Sequence, residues 1–177
     1  MGNIFPGEKH RGIIMKTADR IKELQPLNMD LYDGSFVSGK QQNYIKLQYY
    51  FDKITSKLIA RIYFTKDAQG APLRVHGGAI SAVLDETMGI ITFLNFNPAV
   101  TANLSINFIK PLKVEQDVFV ETWIEENDDK KYLIKGKMVT ENETLIADAS
   151  GVFIKMPMDK VAEYQDYYRK FKADLEK

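Results

Sequence analysis

His76-Gly77-Gly78-Ala79-Ile80-Ser81-Ala82-Val83-Leu84-Asp85-Glu86-Thr87-Met88-Gly89 opens a segment that stays almost wholly apolar to Phe96 and carries only two charges, Asp85 and Glu86. Its length of about twenty residues, its Ala, Leu, Met and Ile content and the Asn97-Pro98 stop predict a helix rather than a strand. Apolar residues fall on nearly every side, which predicts a helix buried all round.

The flanks change period. Upstream, Ile45, Leu47, Tyr49 and Phe51 alternate with Lys46, Gln48 and Tyr50, and Lys57 to Phe64 repeats the pattern, with a turn at Asp52-Lys53. Downstream, the pattern predicts strands over Val100–Ile109, Val114–Ile124, Lys131–Val139 and Leu145–Ile154, with turn signals at Glu126–Asp129 and Glu141–Glu143. Two strands, a long helix and four strands describe an α+β hotdog arrangement, a curved antiparallel sheet of about six strands wrapped around a central helix. Residues 43–156 form this domain. Residues 1–42 read as an extension whose helix over 13–24 ends at Pro26, and 157–177 as an amphipathic helix capped by Asp159.

Charge and composition limit the partners. Lys+Arg and Asp+Glu are both 24, so no overall field favours nucleic acid. Zero cysteines exclude disulfides and thiolate chemistry, and two histidines make a His-rich metal site unexpected. No secretory leader and no uninterrupted apolar run long enough for a membrane span is seen, so a cytoplasmic protein is expected.

On the predicted helix, Gly78, Ser81, Asp85 and Gly89 are spaced three, four and four, forming a stripe of small or polar side chains. A buried ionised carboxylate at its middle costs several kcal/mol unless partners or water reach it. A carboxylate there suits a general base or nucleophile, whereas a salt bridge to an Arg or Lys such as Arg74 would make Asp85 structural. Glu86, roughly 100° round the helix, reads as an interface or solvent-bridged residue. Gly77 and Gly78 stand where first-turn amides lack intrahelical acceptors, so they either hold an oxyanion or merely permit a sharp entry to the helix. Beyond the helix, Thr101, Asn103, Ser105 and Asn107 alternate with Ala102, Leu104, Ile106 and Phe108, giving one face that is polar yet uncharged. Such a face reads as an interface or lined channel.

His76-Gly77-Gly78 followed by Asp85, with Thr101-Ala102-Asn103-Leu104 through Lys110-Pro111-Leu112, resembles the hotdog-fold acyl-CoA thioesterases of the phenylacetate-pathway and human thioesterase-superfamily-member type. The resemblance spans roughly Arg61 to Met156. It implies Asp85 as catalytic base or nucleophile, the amide of Gly78 or Gly77 polarising the thioester carbonyl beside His76, and Thr101 assisting the water. It also implies a homodimer, or a tetramer of such dimers, whose sites combine helix and strand from different subunits. Coenzyme A, part of the substrate and not a cofactor, would lie against Asn107, Lys110, Lys130, Lys131 and Tyr132. The acyl group is expected near Met88, Ile91, Thr92 and the dimer interface. One departure stands out: many relatives carry Asn six residues before the His, where this chain has Gly70, with Gln69 as the nearest substitute. A non-catalytic acyl-CoA or fatty-acid binding module and an enoyl-thioester hydratase are the competing readings.

Overall fold

Alternating β-branched and aromatic residues bring the chain into one six-stranded sheet in the computed structural model, which describes residues 15–28, 35–39, 41–95 and 97–157. In chain order the strands are β1 (Ile45–Asp52), β2 (Lys57–Phe64), β3 (Ala99–Phe108), β4 (Asp117–Asn127), β5 (Lys131–Thr140) and β6 (Leu145–Lys155). Their order across the sheet is β1-β2-β4-β5-β6-β3, and every neighbouring pair is antiparallel. The turn expected at Asp52-Lys53 spans Lys53 to Ser56, because Asp52 Oδ1 accepts the amides of Ile54 and Thr55 at 2.9 and 3.3 Å. The strand expected from Val114 starts later, at Asp117. Lys113 instead bridges to Arg74, and Glu115 takes a φ of 60° that ends any extended run.

The central helix, α2 (Gly77–Leu94), lies on the concave face of this sheet. Ile80, Val83, Leu84, Thr87, Met88, Ile90 and Ile91 turn inward onto Leu58, Ile62, Phe64, Ile134 and Phe153 in the main core. A side chain at Gly136 would meet Met88 at 3.4 Å, and one at Gly151 would stand 2.8 Å from the Phe153 ring and 3.0 Å from the Asn103 carbonyl. These two strand glycines let the helix and β3 approach closely. The helix is not buried all round, as the composition predicts: Gly77 and Gly78 are exposed, and Ser81, Ala82, Asp85, Glu86 and Gly89 are only half-buried. Small and polar residues give one flank too little apolar surface to draw a covering layer over it. By length and hydropathy α2 could cross a bilayer, but half of it is buried within the protein's own core.

At the sheet edge, β3 contains a bulge between Thr101 and Asn103. Thr101 pairs with Phe153 on the concave face, and after the extra residue Ala102 the phase reverses, so Leu104 and Ile106 point to the core. Asn103, Ser105 and Asn107 therefore face outward, and the expected single polar face that included Thr101 does not exist.

On the convex side, a second cluster joins Ala18 and Ile21 to Ile59, Phe119 and Val139. The helix expected over 13–24 is shorter: α1 (Thr17–Arg20) passes into a 3-10 turn over Ile21–Glu23, and residues 13 and 14 lie outside the described residues. Buried polar contacts pin it. Glu121 accepts from the Thr17 hydroxyl and from Lys57 Nζ at 3.1 Å, while Arg20 forks onto Asp52 at 2.9 and 3.0 Å. The helix expected near the C-terminus also falls outside the described residues, which end at 157.

Candidate functional site

Extended backbone at His76 (φ −63°, ψ 135°) starts α2, and its carbonyl accepts the amides of Ala79 and Ile80 at 3.0 and 3.3 Å. The imidazole folds back over the first turn, where Nδ1 accepts the Gly78 amide at 2.9 Å. That bond places the ring proton on Nε2 in the neutral imidazole. The Gly78 amide is thus engaged, contrary to its expected freedom. The Gly77 amide has no acceptor among the described residues and stands open at the positive end of the helix. The Phe108 ring covers this turn, 3.6 Å from where a Gly77 side chain would begin.

The same ring position accounts for Gly70. A Cβ there would stand 2.9 Å from His76 Cδ2 and 3.0 Å from its Cα, so an Asn cannot occupy position 70 with His76 seated as it is. Gln69, the expected substitute, has its Oε1 tied to the Leu73 amide at 2.8 Å.

Two turns along the helix, Asp85 Oδ1 accepts the Thr101 hydroxyl at 2.8 Å. The bulge at Ala102 makes this contact possible by keeping Thr101 on the helix side of β3. Helix and strand thus meet within one chain, so the pairing expected across a dimer is corrected for these two residues. Among the described residues no ion pair reaches Asp85, from Arg74 or from any other residue. Asp85 is half-buried, and among the described residues its Oδ2 accepts no hydrogen bond. Glu86, expected at an interface or bridged by solvent, accepts within the chain from Tyr49 Oη at 2.9 Å and from the Ser35 hydroxyl. It fastens the segment over 35–39 to the helix.

The residues expected to hold coenzyme A do not converge. Asn107 and Lys110 lie at the end of β3 near the Gly77 turn, and Asn107 Nδ2 donates to Asp148 Oδ1 at 2.7 Å. Lys130 and Lys131 lie beside the start of β3, since the Lys155 amide bonds the Lys130 carbonyl and Lys155 pairs with Ala99. Their amides both bind Asp128 Oδ1, holding that carboxyl below its usual range. Tyr132 is a core residue, 1% exposed, with Lys155 Nζ over its ring and its hydroxyl pushed up by burial. A side chain sealed among Phe153 and Ile134 has no surface to offer a ligand. Met88, Ile91 and Thr92 are likewise fully buried, so they cannot line an acyl pocket as expected. Sequence reasoning missed Ser35, Phe36 and Tyr44, which the fold brings to the first turns of α2; only the polar, glycine-containing composition around them is visible in sequence.

Residues 74–147 match the family model described as Thioesterase superfamily. The chain is 28% identical over 140 residues to the acyl-coenzyme A thioesterase THEM4 of Mus musculus, covering 78% of this chain and 59% of that protein. It is 30% identical over 112 residues to its Rattus norvegicus counterpart, covering 63% and 48%. The chain thus spans about half the length of the curated relatives it matches. In fold it is similar to smu.793 of Streptococcus mutans UA159, solved bound to acetyl CoA, with a TM-score of 0.56 at 18% identity over 60% of this chain and 84% of that one. With its helix-wrapped sheet the chain has the hotdog fold, and over residues 74–147, from the His76-Gly77-Gly78 turn onward, it is similar to the thioesterase superfamily.

Proposed function

We propose that this protein hydrolyses an acyl-CoA thioester to a free carboxylic acid and coenzyme A. The observation that carries the reading is the Asp85–Thr101 hydrogen bond, 2.8 Å long, on the open flank of a helix whose first amide is unpaired. Because Thr101 donates to Oδ1, Oδ2 is left to take a proton from water, and the Thr101 oxygen can accept the water's other hydrogen. The hydroxide equivalent attacks the thioester carbon. The carbonyl oxygen gains the negative charge and is held by the Gly77 amide and helix dipole of the second protomer in the dimer described below, because within one chain Gly77 stands about 12 Å along the helix from Asp85. Collapse breaks the C–S bond, and the thiolate takes the proton from Asp85, so acid and thiol leave and the carboxylate is restored. Direct attack by Asp85 through an anhydride is the alternative that the same geometry allows.

His76 positions the turn by holding the Gly78 amide, and Gly78 joins the carbonyl site only when that bond opens. The solved bacterial relative bound to acetyl CoA and the rodent relatives named acyl-coenzyme A thioesterases support the substrate class. The reading includes a cytoplasmic location.

A dimer belongs to the proposal. β3 is an edge strand of ten residues, exposed along most of its length, and Val100, Phe108, Ile109 and Ile154 leave apolar surface beside it. Antiparallel self-pairing of β3 would satisfy that edge and set Lys130 and Lys131 of one protomer near Asn107 and Lys110 of the other. A phosphate-bearing ligand would then meet all of these groups together. Release of free thiol from a panel of acyl-CoAs tests the function: turnover of at least one is expected, and no release from any would overturn it.

A further inference from the structure

Beside the helix N-terminus lies a recess of about 380 Å³, open to solvent, that the Asp85–Thr101 chemistry does not use. Its helix wall is Gly78, Ala79 and Ala82; its far wall is Phe36 and Tyr44, with Asp67 at the rim. Around the helix, Ala82 and Ala79 lie roughly 40° and 100° from Gly78, whereas Asp85 lies roughly 20° the other way. A carbonyl held at the Gly77 turn therefore has this recess beside it, while the same chain's Asp85 lies about 12 Å farther along the helix.

We infer that the recess receives the acyl group, and that Phe36 and Tyr44 set which acyl groups are accepted. This rests on the thioester-hydrolysis reading above. Four observations carry it. Phe36 is 73% exposed, a large apolar surface facing a mostly apolar hollow that an apolar ligand would cover. Alanine at 79 and 82, on a helix otherwise rich in Ile, Val, Leu and Met, leaves the space open. The wall is fixed in place: Tyr44 Oη donates to the Phe36 carbonyl at 2.8 Å, the rings lie 6.0 Å apart, and the Ser35 hydroxyl donates to Glu86, next to Asp85. Among the described residues no Lys or Arg lines the recess; His76 is on its lining and Asp67 stands at its edge, so an uncharged acyl group fits and Asp67 disfavours an ω-carboxylate. Phe36, Tyr44 and Ala68 all precede residue 74, where the family match begins.

Thiol release measured over saturated acyl-CoAs of increasing length, and over ω-carboxyacyl-CoAs of matched length, tests the inference in the full chain. Wild type should favour the uncharged member of each matched pair by about tenfold or more in kcat/KM. Ala82→Leu, which fills the recess, should lower kcat/KM for the longer acyl groups by about tenfold relative to acetyl-CoA. Phe36→Ala, at an exposed position that folding does not depend on, should flatten the chain-length profile. Wild-type turnover with both variants retaining the wild-type profile would overturn the acyl-recess inference and leave the hydrolysis reading standing. Wild-type failure on every substrate would overturn both.

Discussion

Thr101 and Asp85 are held together by one hydrogen bond of 2.8 Å, and its worth is readable in a single substitution. Thr101→Val keeps the β-branched shape and removes the hydroxyl. A hydrogen bond to a charged group contributes about 1.5–3 kcal/mol, so kcat should fall roughly ten- to hundredfold with KM and melting temperature little changed. Steady-state kinetics beside a thermal melt would check this, and an unchanged kcat would remove Thr101 from the mechanism. Gly70 makes a second residue-scale prediction. Gly70→Ala places a methyl 2.9 Å from the His76 ring and 3.0 Å from its backbone, so it should cost about 1–3 kcal/mol in denaturant unfolding. Asp85 and Thr101 are both legible in the sequence as chemically out of place. Their pairing within one chain is not, because it depends on a single extra residue, Ala102, that reverses a strand's phase. The hint is present: the inward apolar positions shift from odd at Ala99 to even at Leu104 and Ile106.

Helix α1 is an element with little apolar surface of its own, and its attachment to the convex face depends on buried polar contacts. Burial alone would raise the Asp52 carboxyl, but the Arg20 fork, the Thr55 hydroxyl and the amides of Thr55 and Ile54 outweigh it and hold the pKa at about 2, against 3.8 ordinarily. A depressed carboxylate contributes stability that is fully present above its unfolded value near 3.8 and is lost as pH falls through about 2. Its size is about 2 kcal/mol, since Asp52 is nearly inaccessible. Asp52→Asn should therefore lower unfolding free energy by about 2 kcal/mol at neutral pH, with the gap to wild type closing between about pH 4 and pH 2. Equal stability of the two proteins at neutral pH would contradict this. Period-two and helical spacing made the sheet elements legible to within a few residues. The shortened α1 was not, because Thr17, Arg20, Asp52 and Glu121 meet through contacts distant in sequence.

At the scale of the whole molecule, the order β1-β2-β4-β5-β6-β3 puts the strand that follows the helix, and that carries Thr101 to Asp85, at an edge of the sheet. Sedimentation equilibrium should give at least twice the chain mass, and a monomer at micromolar concentration would remove the shared coenzyme A site. The hotdog arrangement was legible because one long apolar helix between strand runs permits few packings. Where Lys130, Lys131 and Tyr132 would stand was not: hairpin position along the sheet depends on register, and register placed the two lysines at the far end of β3 and the tyrosine in the core. In the proposed reaction the Asp85 carboxylate, held by Thr101, performs the hydrolysis. Asp85→Asn, compared with wild type for thiol release and for coenzyme A binding by calorimetry, tests it most directly. The account predicts a loss of turnover of about a hundredfold or more with coenzyme A affinity retained; turnover within a few fold of wild type would contradict it.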